Sequence, residues 1–141
     1  MGFSKEAMRR ADTPVMAFFN FISPQMLERI VENTNFAIET MSLAYDRITR
    51  DDIKKCIGAS LLIGLLKGKN MKVREFWSEK YGQSMIKIGI GKYETITQCI
   101  RFDRRNTRNN IDKLAPIRIF WEMLIENCIK NYKPSEQVIV V

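Results

Sequence analysis

From Ile53 to Leu66 the apolar residues Ile53, Ile57, Leu61, Leu62, Leu65 and Leu66 recur at helical spacing, with little polar surface among the later ones. This pattern predicts a helix over residues 49–68, buried nearly all round, around which the rest of the chain is organised. Thr49 and Asp52 form a capping-box pair at its start, and Gly68 marks its stop. Lys54, Lys55 and Ser60 interrupt the stretch, which is shorter than the roughly 20 apolar residues a bilayer needs, so the reading is a core helix.

The flanking sequence is also patterned for helices. Thr13-Pro14 and Ser23-Pro24 each place a capping hydroxyl before a proline at the first helical position. The first opens a short helix containing Phe18, Phe19 and Phe21, expected to pack inward. The second opens a longer helix whose stripe reads Leu27, Ile30, Val31, Thr34, Ile38, Met41 and Tyr45, with Glu28, Glu32 and Glu39 on a solvated face. Asn70 caps a brief helix carrying Val73, Phe76 and Trp77 inward. Gly89-Ile90-Gly91 reads as a hinge before a helix with Tyr93, Ile96, Cys99 and Ile100 inside. The last helix spans 112–132, kinked or begun at Pro116, with Ile117, Phe120, Trp121, Leu124, Ile125 and Cys128 giving a wide apolar face. Residues 1–12 show no defensible period and are read as a flexible lead-in. Gln137-Val-Ile-Val-Val141 reads as a single buried strand with no partner in this sequence. The fold class is therefore mainly α, a multi-helix region over 13–133 followed by one terminal β-strand over 134–141.

Composition narrows the function. The chain carries a formal charge of +7 with a pI near 9.5, and the excess is uneven, +2 over residues 1–70 against +5 over 71–141. Anionic partners are favoured. Lys67, Lys69, Lys72 and Arg74 gather after the central helix. Arg101, Arg104, Arg105 and Arg108 gather on a polar loop with little acid to neutralise them, and guanidinium forks suit phosphate oxygens. These eight residues are the candidate phosphate contacts, and the arginine loop is the better nucleic-acid candidate of the two clusters. For each cluster the alternative is a solvated charged surface.

Other chemistry is expected to be absent. There is no histidine for general-base work, and no nucleophile stands beside a partner. Cys56, Cys99 and Cys128 are widely spaced, which argues for reduced thiols and against zinc. No catalytic residue, metal site, cofactor, membrane span or small-molecule substrate is expected. The first residues contain no secretory pattern, so the protein is read as not secreted.

Several stretches resemble the front of a piggyBac-type transposase when taken in order. They are F-F-N-F-I-S at 18–23, I-G-A-S-L-L-I-G-L-L-K-G at 57–68, V-R-E-F-W-S at 73–78, Y-E-T-I-T-Q-C-I-R-F-D at 93–103, D-K-L-A-P-I-R at 112–118 and N-Y-K-P-S-E-Q-V at 131–138. The resemblance runs from Thr13 to Val141. It implies the first part of a dimerisation and DNA-binding domain that folds beside a ribonuclease-H-like catalytic domain, with residues 134–141 as that domain's first strand. It also implies that the sequence stops just before the position of the first catalytic aspartate, so that these residues lack the carboxylates of two-metal strand transfer. Gly89-Ile90-Gly91 and Arg104 depart from the family's usual polar or acidic residues. The expectation is a truncated, transposase-derived DNA-binding and dimerisation remnant, nuclear or cytoplasmic, that is not an enzyme. The alternatives are an interaction module docking on a second copy or on a full-length transposase, or a decayed gene product without function.

Overall fold

The computed structural model describes residues 2–3, 12–43, 45–66, 72–78, 85–108 and 111–133. Five α-helices dominate these residues: α1 Pro14–Phe21, α2 Pro24–Thr40, α3 Arg50–Leu66, α4 Ile90–Cys99 and α5 Arg118–Asn131. Short 3-10 turns occupy Val73–Trp77 and Arg105–Thr107. Two two-residue strands, β1 Gly2–Phe3 and β2 Tyr132–Lys133, pair antiparallel. The sequence pattern assigned no element to residues 2–3. The expected strand over 134–141, the stop at Gly68 and the cap at Asn70 lie outside the described residues.

The chain divides into two compact units, Met1–Arg29 with Phe102–Val141, and Ile30–Arg101. The middle unit holds most of the buried apolar side chains. Ile30, Val31 and Ile38 come from α2, Ile53, Cys56, Ala59 and Ile63 from α3, and Ile96 and Cys99 from α4, with Ile48, Phe76, Ile86 and Ile88 from the connections. The capping box opens α3 as expected: the Asp52 amide donates to Thr49 Oγ1 (3.2 Å), and the Thr49 amide donates to Asp52 Oδ2 (2.9 Å). Lys92 Nζ reaches Asp52 Oδ1 at 3.1 Å from the first turn of α4. Further along the same two helices Ser60 Oγ and Tyr93 Oη lie 3.2 Å apart.

Helix α3 is not buried all round. Leu61, Leu65 and Leu66 are exposed, Leu65 to 81%. Hydropathy reports that a residue prefers burial but not which face finds a neighbour, and α3 presents only the face of Ile53, Cys56, Ala59 and Ile63 to the core. The α2 stripe is buried from Leu27 to Ile38. It fails at Met41 and Tyr45, both exposed, because α2 stops at Thr40. The stop is a Schellman-type cap: Leu43 N donates to Ile38 O (3.2 Å), Ser42 N donates to Glu39 O (3.0 Å), and Ser42 sits at φ 52°. Asn35, buried on α2, then holds the returning chain by exchanging two hydrogen bonds with the Ile48 backbone.

In the other unit α1 packs against α5. Thr13 and Ser23 cap α1 and α2 as read from sequence, accepting from the amides of Met16 (3.2 Å) and Met26 (3.3 Å). Asn127 and Asn131, one turn apart on α5, donate to Phe21 O (2.9 Å) and Asn20 O (3.0 Å), satisfying carbonyls at the end of α1. Phe18 stays partly exposed and meets Phe19 edge to face at 5.2 Å. The wide apolar face expected of α5 is also split. Phe120, Leu124 and Cys128 are half-buried, whereas Ile117, Trp121, Ile125 and Ile129, spaced four apart, are exposed.

Candidate nucleic-acid interface

The basic residues nominated from sequence meet different fates. Lys67 and Lys69 lie outside the described residues. In the middle unit Lys72 is exposed at the N-cap of the Val73–Trp77 turn. Arg74, on that turn, forms a two-pronged ion pair with Glu94 of α4, Nε to Oε1 at 2.7 Å and Nη2 to Oε2 at 2.9 Å. The hydrogen bond from Arg74 holds the Glu94 carboxyl below its ordinary value, and the same bond raises Arg74. Water screens this exposed pair, but its geometry occupies the fork that a phosphate would need. Arg101 Nη1 donates to Ile100 O at 2.8 Å and to Gln98 O at 3.5 Å, a cation placed on the last carbonyls of α4.

The other unit carries Arg104, Arg105 and Arg108. Arg104 and Arg105 are exposed where the chain makes one 3-10 turn, closed by Thr107 N to Arg104 O (3.1 Å) and Arg108 N to Arg105 O (3.4 Å). Thr107 Oγ1 adds a bond to Arg104 O (2.9 Å). Arg108 is half-buried and forks onto Asp103, Nε to Oδ2 at 2.7 Å and Nη2 to Oδ1 at 2.8 Å. Donating that hydrogen bond to Asp103 raises the Arg108 guanidinium above its ordinary value. The reading that this loop has little acid to neutralise it therefore does not hold for Arg108. A second fork follows, in which Arg118 Nε and Nη2 each reach an Asp112 oxygen at 2.8 Å. With the Leu114 amide also donating to it, Asp112 is held down to about 2.

Sequence reasoning missed Glu94, Asp103 and Asp112 as partners of these arginines. The helical i,i+4 rule does find Asp51–Lys55, at 3.0 Å. It says nothing of pairs five or six residues apart in a loop.

Divalent metals are the cofactor that strand-transfer chemistry implies. Four of the described carboxylates are held by cations of the chain instead. Glu94, Asp103 and Asp112 each face a guanidinium, and Asp52 faces Lys92 and Thr49. Burial pushes the Asp52 carboxyl up, but the Thr49 amide and hydroxyl and the Lys92 ammonium more than offset it, leaving it below its ordinary value. Among the described residues no three histidine, cysteine or acidic side chains gather to hold an ion. No described helix is long and apolar enough to cross a membrane.

Family comparison decides the class. The sequence model described as Transposase IS4 matches residues 13–141. The chain belongs to this transposase family. No curated protein matches it. Among solved structures its fold is similar to part of a piggyBac transposase, seen in a synaptic complex with hairpin DNA by cryo-electron microscopy. The TM-score is 0.74 at 22% identity, over 95% of this chain and 30% of that one. The family member described here thus spans about a third of that transposase's length and shares its helical fold there.

Proposed function

We propose that these residues serve as a DNA-binding and dimerisation region of transposase descent, and that they do not themselves carry out strand transfer. The observation that carries the DNA reading is the exposed turn at 104–107, which offers Arg104 and Arg105 to solvent in a chain of net charge +7. The likeness to a transposase bound to hairpin DNA supports it. Backbone phosphate is the ligand proposed, because guanidinium forks suit phosphate oxygens and such contacts need no particular base sequence. The carboxylates described above are engaged by cations, which supports the absence of catalysis. In a cell, this reading places the protein in the nucleus.

The experiment is fluorescence anisotropy of a labelled DNA duplex titrated with the protein from 50 to 300 mM salt. Each phosphate contact adds about 0.9 to the slope of log affinity against log salt. Arg104→Gln with Arg105→Gln should lower that slope by nearly 2. Absence of binding at the lowest salt by a chain that is helical in circular dichroism would sink the DNA reading.

A second reading, docking on another protein chain, is favoured by one observation. Ile117, Trp121, Ile125 and Ile129 form an exposed row at four-residue spacing along α5, Ile129 being 74% exposed. Under that reading Trp121→Ala and Ile125→Ala change the sedimentation behaviour and leave DNA affinity alone.

A further inference from the structure

Of the three arginine–carboxylate forks described above, Asp103–Arg108 is the most enclosed. Its side chains retain 12% and 26% of their surface, against 26% and 39% for Asp112–Arg118 and 36% and 72% for Glu94–Arg74. It also closes across a weak element. The turn Arg105–Thr107 has two backbone hydrogen bonds, one of them stretched to 3.4 Å, and an isolated 3-10 turn of that length has little stability of its own. The fork joins the residue before Arg104 to the residue after Thr107, so it brackets the whole exposed segment. A phosphate recruiting Arg108 must displace a carboxylate that already meets the guanidinium edge to edge, and so gains little. Arg105 is exposed and has no ion-pair partner among the described residues.

We infer that Asp103 and Arg108 are positioning residues for DNA binding: their fork shapes the turn, and the turn presents Arg105 to a phosphate. This rests on the proposed DNA-binding role. Its consequence opposes simple charge counting. Asp103→Asn removes a negative charge, which by long-range electrostatics alone tightens binding to DNA. Acting through the turn, it weakens binding instead.

The test is a salt titration with a labelled duplex of wild type, D103N, R105Q and the double variant D103N/R105Q. Loss of the Arg105 contact predicts R105Q about eightfold weaker at 0.1 M salt, with the slope reduced by about 0.9; D103N, which releases the turn that carries Arg104 as well, is at least eightfold weaker. The double variant should be no weaker than D103N, since releasing the turn already withdraws Arg105 from the phosphate. Arg105 is exposed, so R105Q keeps its fold and makes the comparison valid. D103N binding as tightly as wild type or more so overturns the inference, as does an eightfold further loss in the double variant. Should wild type bind no DNA, the proposed function falls, and the clamp is judged on hydrogen exchange at the Thr107 and Arg108 amides. Faster exchange in D103N then supports the clamp; unchanged exchange overturns it.

Discussion

Asn35 joins two parts of the middle unit that are thirteen residues apart in sequence. Its side chain, 5% exposed, donates from Nδ2 to Ile48 O at 2.9 Å and accepts at Oδ1 from Ile48 N at 2.8 Å. Ile48 is itself 1% exposed, so water has no route to replace either bond. Asn35→Ala leaves a buried N–H and a buried C=O unpaired, each at about 1–3 kcal/mol, so the variant should lose about 2–6 kcal/mol. At roughly 3 °C per kcal/mol for a chain of this size, Tm falls by about 6–18 °C.

Asn35→Asp sharpens the test. One carboxylate oxygen still accepts from Ile48 N, but the other faces the Ile48 carbonyl and can donate only when protonated. The folded state therefore raises this carboxyl above the roughly 3.9 of an unfolded aspartate. Below pH about 4 both states are protonated and the penalty is absent; it grows as pH rises, until the folded-state pKa is passed. Melts of wild type, N35A and N35D followed by circular dichroism between pH 3 and 7 decide the matter. The reasoning is refuted by N35A melting within about 2 °C of wild type, or by N35D keeping a constant offset from wild type at every pH.

Other positions give sharper signs than magnitudes. Ser42 holds the left-handed position after α2, at φ 52°, so Ser42→Gly should stabilise the protein by roughly 0.5–1 kcal/mol, read as an upward shift of the urea midpoint. Asp112 is held down to about 2 from 3.8, so its contribution is present above pH 4 and is lost as pH falls from about 4 toward 2. The Tm difference between wild type and Asp112→Asn should follow that window and shrink with added salt. Cys56 and Cys99 are buried while Cys128 is half-exposed, and burial also raises the Cys56 thiol. Mass-resolved alkylation of the native protein at pH 8 should modify Cys128 first, and early labelling of Cys56 would contradict its position in the core.

The features legible in the sequence were those whose partners lie within about one turn. Thr13-Pro14, Ser23-Pro24 and the Thr49/Asp52 box name their own acceptors and donors, and all three caps form. The α2 stripe was legible to Ile38, because a period of 3.6 reports a face directly. Its overrun to Tyr45 came from an end set by Ser42 adopting a conformation usually left to glycine, which no local pattern announces. The exposure of Leu61 and Leu65 on α3, and of Trp121 and Ile129 on α5, depends on which face meets another element. The Asn35 clamp and the Asn127 and Asn131 contacts with α1 depend on the path of the intervening chain. Of the candidate interface, the positions of the cations were legible and their partners were not.

That last gap changes how a basic protein is read. Formal charge counts Arg74 and Arg108 fully, yet each lies 2.7 Å from a carboxylate that takes both prongs of its guanidinium. Such pairs contribute little to stability when solvated. Their larger effect is on binding, since a cation already neutralised displaces no counterion from DNA. If all eight nominated residues met phosphates, the slope of log affinity against log salt would approach about −7; with Arg74 and Arg108 retained by their carboxylates it is limited to about −5. A slope near −7 would mean that the forks open on DNA, and with them the turn that Asp103 and Arg108 are inferred to hold. A slope of −5 or shallower, unchanged by Arg74→Gln, leaves binding to nominated cations other than Arg74 and Arg108.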